Sequence, residues 1–288
     1  MTGTRSAAAP VVGLASLPMY DLPELRWATD AWWQGLALHL REAGLRNLPE
    51  ALSRPEPGRG AGGEADPVPL LRDPRLVIGQ TCGYPLTHGL AGWVSYLGTP
   101  RYAAPGCKGS DYRSFVVLRA DDPAETPAAL RGRRAVINGW DSQSGMNALR
   151  ALVAPHAQAG RFFAQVVTSG AHRRSLAMIR EGRADLAAID CVTLELLRRV
   201  DPAALEGLEA RFETPAAPAL PYVTRHGVKP GLLAALRAGI KAALADPELA
   251  EVRAALLLTG MDFDRAADYS VITEMERTAE LLGYLALA

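Results

Sequence analysis

The sequence predicts an α/β protein of two lobes joined by two crossings, with a C-terminal helical segment. Three observations predict it. Apolar strand-like runs alternate with amphipathic helical ones through most of the 288 residues, the pattern of mainly parallel sheets. Two β-rich runs, SFVVLR at 114–119 and LPYVT at 220–224, bracket a central block of about a hundred residues. Past the second run the chain reads as helices only. A block inserted by two crossings into a discontinuous partner is a hinge architecture, with its ligand site in the cleft beyond the carboxyl ends of the strands. The expected division is 1–118 plus 219–288 for the first lobe and 119–218 for the inserted one.

The elements follow in order. Val11–Leu17 is apolar and reads as the first buried strand. In the helix after it, Leu25, Ala28, Trp32, Leu36, Leu40 and Ala43 recur at steps of three or four, one stripe facing a sheet. Pro23 suits its first turn and Gly44 its stop. Ser53–Pro69 is rich in Gly and Pro and predicts a flexible surface loop. Leu76–Gln80 is a strand, CGYPLTHG a turn and short helix, and Trp93–Leu97 a further strand. The central block then reads strand 134–138, helix 145–153, strand 163–168, helix 171–181, strand 186–189 and helix 193–200. Helices are expected over 231–244, 248–257 and 270–282.

Composition excludes several functions. Thirty-one basic residues balance thirty-one acidic ones, so the basic surplus of a nucleic-acid binder is missing. No apolar run approaches a membrane span, and a monomer outside the bilayer is expected. His39, His88, His156 and His226 are scattered without metal-ligand spacing. The cysteines lack the close pairs of a zinc site, and no phosphate-cradling Gly-rich loop is present, so no metal or cofactor is expected. The first two dozen residues lack the basic start, long apolar core and cleavage site of a secretory leader. The chain as written therefore reads as cytoplasmic, and as periplasmic if the start is misassigned or a leader was removed. Cys191 reads as a small buried hydrophobe. Cys82 and Cys107 lie in loops of the same half, so two reduced thiols and a Cys82–Cys107 disulfide both stand.

The chemistry gathers where strands end. In AVINGWDSQSGMNALRAL a strand closes at Asn138 and a helix opens near Ser144–Gly145. Its first turn exposes amide hydrogens, with the positive end of the macrodipole. Ser142 and Ser144 add hydroxyls around Gln143, and Gly145 lets a guest approach the backbone. Together these make an anion cradle; an ordinary N-cap is the alternative. A second strand ends at Thr168–Gly170, placing His172 in the first turn of the next helix. Asp190 ends the apolar run Leu186–Ile189, either as a helix cap or as a cleft-facing acceptor.

In combination these segments resemble the phosphate/phosphite/phosphonate substrate-binding proteins of ABC transporters. The matching parts are Asp141–Gly145, Gly170–His172, Gly182–Asp190 and the Pro-rich return Thr214–Pro221, in that order. The resemblance is best over Cys82–Thr224. It implies a type II periplasmic-binding-protein fold, a small oxyanion as ligand, an ABC permease as partner and no catalysis. It also implies that Ser142, Ser144 and Gly145 hold the anionic group, with Tyr20, Tyr84 and more weakly Tyr112 contributing from the other lobe. Phosphonate-binding members often carry an acidic residue after the His, where this chain has Arg173, which favours a ligand without a cation. Two alternatives use the same fold. One is a cytoplasmic enzyme resembling chorismate dehydratase or dihydroxynaphthoate synthase of menaquinone synthesis, with His172 and Asp190 as acid and base. The other is a cytoplasmic ligand sensor.

Overall fold

The computed structural model describes residues 12–56 and 66–288. Val11, the start of the first expected strand, and residues 57–65 of the expected Ser53–Pro69 loop lie outside them. In chain order the strands are β1 (Leu14–Ser16), β2 (Leu76–Gln80), β3 (Val94–Tyr102), β4 (Asp111–Tyr112), β5 (Ser114–Arg119), β6 (Arg134–Ile137), β7 (Gln165–Thr168), β8 (Leu186–Asp190), β9 (Leu208–Glu213), β10 (Ala217–Pro218), β11 (Tyr222–Arg225) and β12 (Leu258–Asp262). The helices are α1 (Arg26–Glu42), α2 (Val68–Leu71), α3 (Gly83–Thr87), α4 (Ala148–Val153), α5 (His172–Arg180), α6 (Cys191–Val200), α7 (Pro230–Ala245), α8 (Ala250–Ala255) and α9 (Ser270–Leu281).

Two five-stranded sheets form, each the centre of one lobe, in the orders β1-β2-β11-β3-β12 and β7-β6-β8-β5-β9. β1 and β2 are parallel, as are β7, β6 and β8, whereas the returning strands β11, β12, β5 and β9 run antiparallel to their neighbours. The parallel strands are joined by helical crossovers, so their carboxyl ends, and the loops after them, point the same way in each lobe.

Three differences from the sequence expectations shape the lobes, besides β9, a strand that the sequence reading did not expect. First, β5 lies wholly inside the second sheet, paired with β8 and β9. That sheet therefore spans 114–213, where the inserted lobe was expected over 119–218. The crossings are instead β4 and β10, which pair antiparallel as a two-stranded ribbon, Ala217 opposite Tyr112. Second, the region after 224 is not helical throughout, because β12 adds an edge strand to β3. The helix ends where Leu257 takes a left-handed turn, φ 58°, which swings the chain back along the sheet. Third, the C-terminal segment expected in the first lobe straddles both. Ile272 and Met275 pack into the first lobe's core, while Ala279, Tyr284 and Leu287 pack into the second's.

The stripe of α1 folds as its spacing dictates. Ala28, Trp32, Leu36 and Leu40 are buried, with Trp33 beside them, against the first sheet and α7, while Trp27 on the opposite face stays exposed. Each such large side chain removed from water contributes roughly 2–3 kcal/mol. No helix among the described residues is long and apolar enough to cross a membrane.

Candidate functional site

The loops after β1, β2, β6, β7 and β8 meet between the two lobes, beside the β4–β10 ribbon. The loop after β6 opens into a wide turn, Gln143–Asn147, which leads directly into α4. It is closed by bonds one residue longer than a helix uses: the Asn147 amide donates to the Ser142 carbonyl at 3.0 Å and Ala148 to Gln143. Turns of this kind are costly in isolation and recur at functional positions. All five residues of the turn are buried.

Ser142 caps this turn, its Oγ accepting the Gly145 amide at 2.9 Å. The Gln143 amide donates to the Cys82 thiol at 3.4 Å, a contact from one lobe to the other. The Gln143 side chain is spent on Asn147 (2.7 Å) and on Met275 of α9 (3.3 Å). The Gly145 position is a correction to the sequence reading, which kept it open for a guest. A Cβ there would run into Asn138 Oδ1, so any side chain at 145 has to displace the Asn138 side chain folded against it.

Ser144 and His172, 28 residues apart, meet at 2.9 Å between Oγ and Nε2. The second nitrogen of His172, Nδ1, is buried without a protein partner. Burial pushes the imidazole down to about 4, so at neutral pH it carries one proton and no charge. Whichever tautomer forms, the pair keeps one donor hydrogen beyond the bond they share. With Nε2 accepting from Ser144 the free donor is Nδ1–H, and with Nε2–H donating it is the serine hydroxyl.

Asp190 ends β8 and is both of the things its position suggested. Its Oδ1 accepts the Val192 and Thr193 amides at 2.8 and 2.9 Å, capping α6, while Oδ2 accepts the Tyr20 hydroxyl from the other lobe at 3.0 Å. Burial raises its carboxyl to about 6, against the pull of those hydrogen bonds. Ser114 lies opposite Asp190 in the β5–β8 pairing. The Oγ atoms of Ser114 and of Ser16, at the end of β1, and the Tyr112 hydroxyl on the ribbon are all buried without protein partners. Such groups cost free energy unless something bonds them.

The structure thus brings Ser142, Ser144, His172, Tyr20, Tyr112 and Asp190 to the lobe junction. Tyr84 also stands where the lobes meet, packed against both cores, but its hydroxyl is turned to Glu276 of α9, to which it donates at 2.6 Å, and its ring stacks on His88, 4.0 Å between centroids. Cys82 and Cys107 are free thiols, so the disulfide alternative is not made; Cys107 instead faces Cys191, buried as expected, with 3.5 Å between sulfurs. Arg173 bonds Glu24 of the first lobe and Asp201. Sequence reasoning missed Ser16, Ser114 and Asn138, although each stands at a strand end or start that the alternation had located. Among the described residues no cluster of His, Cys, Asp and Glu is arranged to hold a metal ion.

Comparison with known proteins agrees with this architecture. Three solved structures share the fold. PhnD1 of Prochlorococcus marinus, solved in complex with methylphosphonate, has a TM-score of 0.73 and 13% identity, covering 94% of this chain and 99% of its own. A Xanthomonas citri protein bound to chloride gives 0.69 and 16% over 94% and 98%. The binding-protein component of an ABC phosphonate transporter from Pseudomonas aeruginosa gives 0.67 and 13% over 95% and 97%. No curated protein matches the chain. A family model described as the periplasmic substrate-binding protein of phosphonate ABC transporters matches residues 96–269, more than half of the sequence and both crossings. This chain belongs to that family of substrate-binding proteins, whose role is capture of a solute and not its chemical conversion.

Proposed function

We propose that the protein captures a small phosphorus oxyanion, of the phosphonate or phosphate type, between its lobes and presents it to an ABC permease. The observation that carries this reading is the Ser144–His172 pair, a buried neutral donor at the heads of two consecutive strand–helix loops. Ser142 adds the second hydroxyl, 3.4 Å from that of Ser144. The positive ends of α5 and of the Gln143–Val153 segment favour a negative guest there. Tyr112, Ser16 and Ser114 supply further hydroxyls, and Asp190 accepts a hydrogen bond from a ligand that carries a hydroxyl, which a fully ionised anion lacks. Tyr20 joins Asp190 to the first lobe, so closure and the polar lining form together. Arg173 is engaged by Glu24 and Asp201, and so neither repels nor neutralises the guest.

A thermal-shift panel of inorganic phosphate, methylphosphonate and sulfate tests the reading. A guest that binds only the folded protein stabilises it by about 4 kcal/mol at a thousand times its dissociation constant. The expected result is a rise in Tm with phosphate or methylphosphonate, reduced in Ser144→Ala. A response to sulfate alone, or none to any of the three, overturns it.

A further inference from the structure

We infer that Cys107 and Cys191 form a disulfide that ties the two lobes together in the closed arrangement. The sulfurs are 3.5 Å apart, side by side at the lobe junction, and a further approach of about 1.5 Å brings them to the length of an S–S bond. Gly106 makes the approach possible: a Cβ there would lie 3.1 Å from the Cys191 Cβ and 3.1 Å from the Phe115 ring, and its φ of +95° disfavours any side chain.

The two cysteines stand on elements of different lobes, although Cys191 also packs against the first lobe's core. Cys107 sits in the connection from β3 to β4, which the first lobe holds at three points. The Ala103 amide donates to Leu257 at 2.8 Å, Ser110 Oγ donates to Asp262 at 2.7 Å, and Arg265 donates to Asp111 at 2.7 Å. Cys191 is the first residue of α6 in the second lobe and follows Asp190 directly. Its bond would therefore lie beside the Tyr20–Asp190 contact and reinforce it covalently. The thiols are unequal in reactivity as well. Cys107 is half-buried and its thiol is lowered by the hydrogen bond from Cys191, whereas the Cys191 thiol is raised.

The oxidant is a small disulfide such as oxidised glutathione. The Cys107 thiolate attacks one sulfur of it, forming a mixed disulfide and releasing one glutathione thiolate. That thiolate takes the Cys191 proton, and the Cys191 sulfur displaces the second glutathione. Two protein thiols are oxidised and one glutathione disulfide is reduced to two thiols.

The test needs no bound solute, so it is independent of the proposed ligand. The full chain is incubated with oxidised glutathione, digested without reduction and mapped by mass spectrometry. Amide exchange of segments 82–87 and 143–147, which face each other across the lobes, is then compared with and without a dithiol reductant. The expected result is a peptide joining Cys107 to Cys191, with exchange in both segments slowed about tenfold or more on oxidation. Cys107→Ser and Cys191→Ala should each abolish the slowing. Thiols that stay reduced, a disulfide through Cys82, or a Cys107–Cys191 bond that leaves exchange unchanged would each overturn the inference.

Discussion

The hydroxyl of Tyr20 donates to the Asp190 carboxylate at 3.0 Å, joining residues 170 positions apart across the two lobes. The same carboxylate caps α6 through its other oxygen. A single side chain is thus shared between the internal order of one lobe and its contact with the other. Removing the Tyr20 hydroxyl leaves the cap in place and weakens only the contact. In Tyr20→Phe the closed arrangement should lose about 1.5–3 kcal/mol, the range for a hydrogen bond to a charged group. Small-angle scattering should show a larger radius, and phosphate or methylphosphonate binding should weaken about tenfold or more by calorimetry. Unaltered binding would show that the bond is not coupled to capture.

The site holds two groups whose burial acts on stability with opposite sign. Asp190 is raised to about 6, so the folded protein holds its proton more tightly than the unfolded chain. Its contribution is present below the ordinary carboxylate pKa near 4 and is lost as pH rises through 6. His172 is lowered to about 4, so the unfolded chain binds the proton more tightly, and its contribution appears as pH rises from 4 to the ordinary value near 6.5. Each is worth roughly 3 kcal/mol, and together they nearly cancel. Urea denaturation between pH 4 and 6.5 should therefore show stability that rises with pH in Asp190→Asn and falls in His172→Asn. Parallel slopes in the two variants would contradict both shifts.

The gross organisation was legible because it rests on periodicity. The α1 stripe and the alternation of apolar runs set two sheets, and the strand ends placed the Ser142–Gly145 turn, His172 and Asp190 at one level. What was not legible is long-range. Nothing local tells that Ser144 meets His172, that Tyr84 turns to Glu276 on α9, or that Cys107 faces Cys191 and not Cys82. β12 was hidden for a different reason. Its residues Leu-Thr-Gly-Met-Asp follow α8 without a polar break, and the left-handed Leu257 that separates them is not a residue type that announces such a turn. The role of Gly145 was misread because sequence shows a missing side chain but not which neighbour fills the space.

That neighbour gives a direct test. Gly145→Ala must push Asn138 away from the β6 loop, since the new Cβ would run into its Oδ1. The expected cost is about 1–3 kcal/mol, as for other overpacked sites. Asn138→Ala clears the space, so Gly145→Ala should cost less in that background, with an interaction of about 1 kcal/mol in the double-mutant cycle. Additive costs would show that the glycine answers to some other neighbour.

The C-terminal segment makes the last prediction. Arg150 of α4 is buried, and its guanidinium donates to the carbonyls of Tyr284 (2.8 Å) and Leu285 (2.7 Å). Phe162 and Phe163 donate their amides to the Ala288 carbonyl at 2.6 and 3.0 Å, and Tyr284 and Leu287 fill the second lobe's core. Removing residues 283–288 strips a buried cation of its acceptors and uncovers that core at once. Glu280, 3.8 Å away, still faces the guanidinium, so a loss of about 1–3 kcal/mol is expected from the unsatisfied donors alone, before the uncovered core is counted. Leu285→Ala, at a side chain 74% exposed whose backbone oxygen is kept, should change stability by about 0.5 kcal/mol or less. Chemical denaturation of the two variants separates the possibilities: a truncation as mild as Leu285→Ala would mean that α9 and its tail rest on the second lobe without holding it.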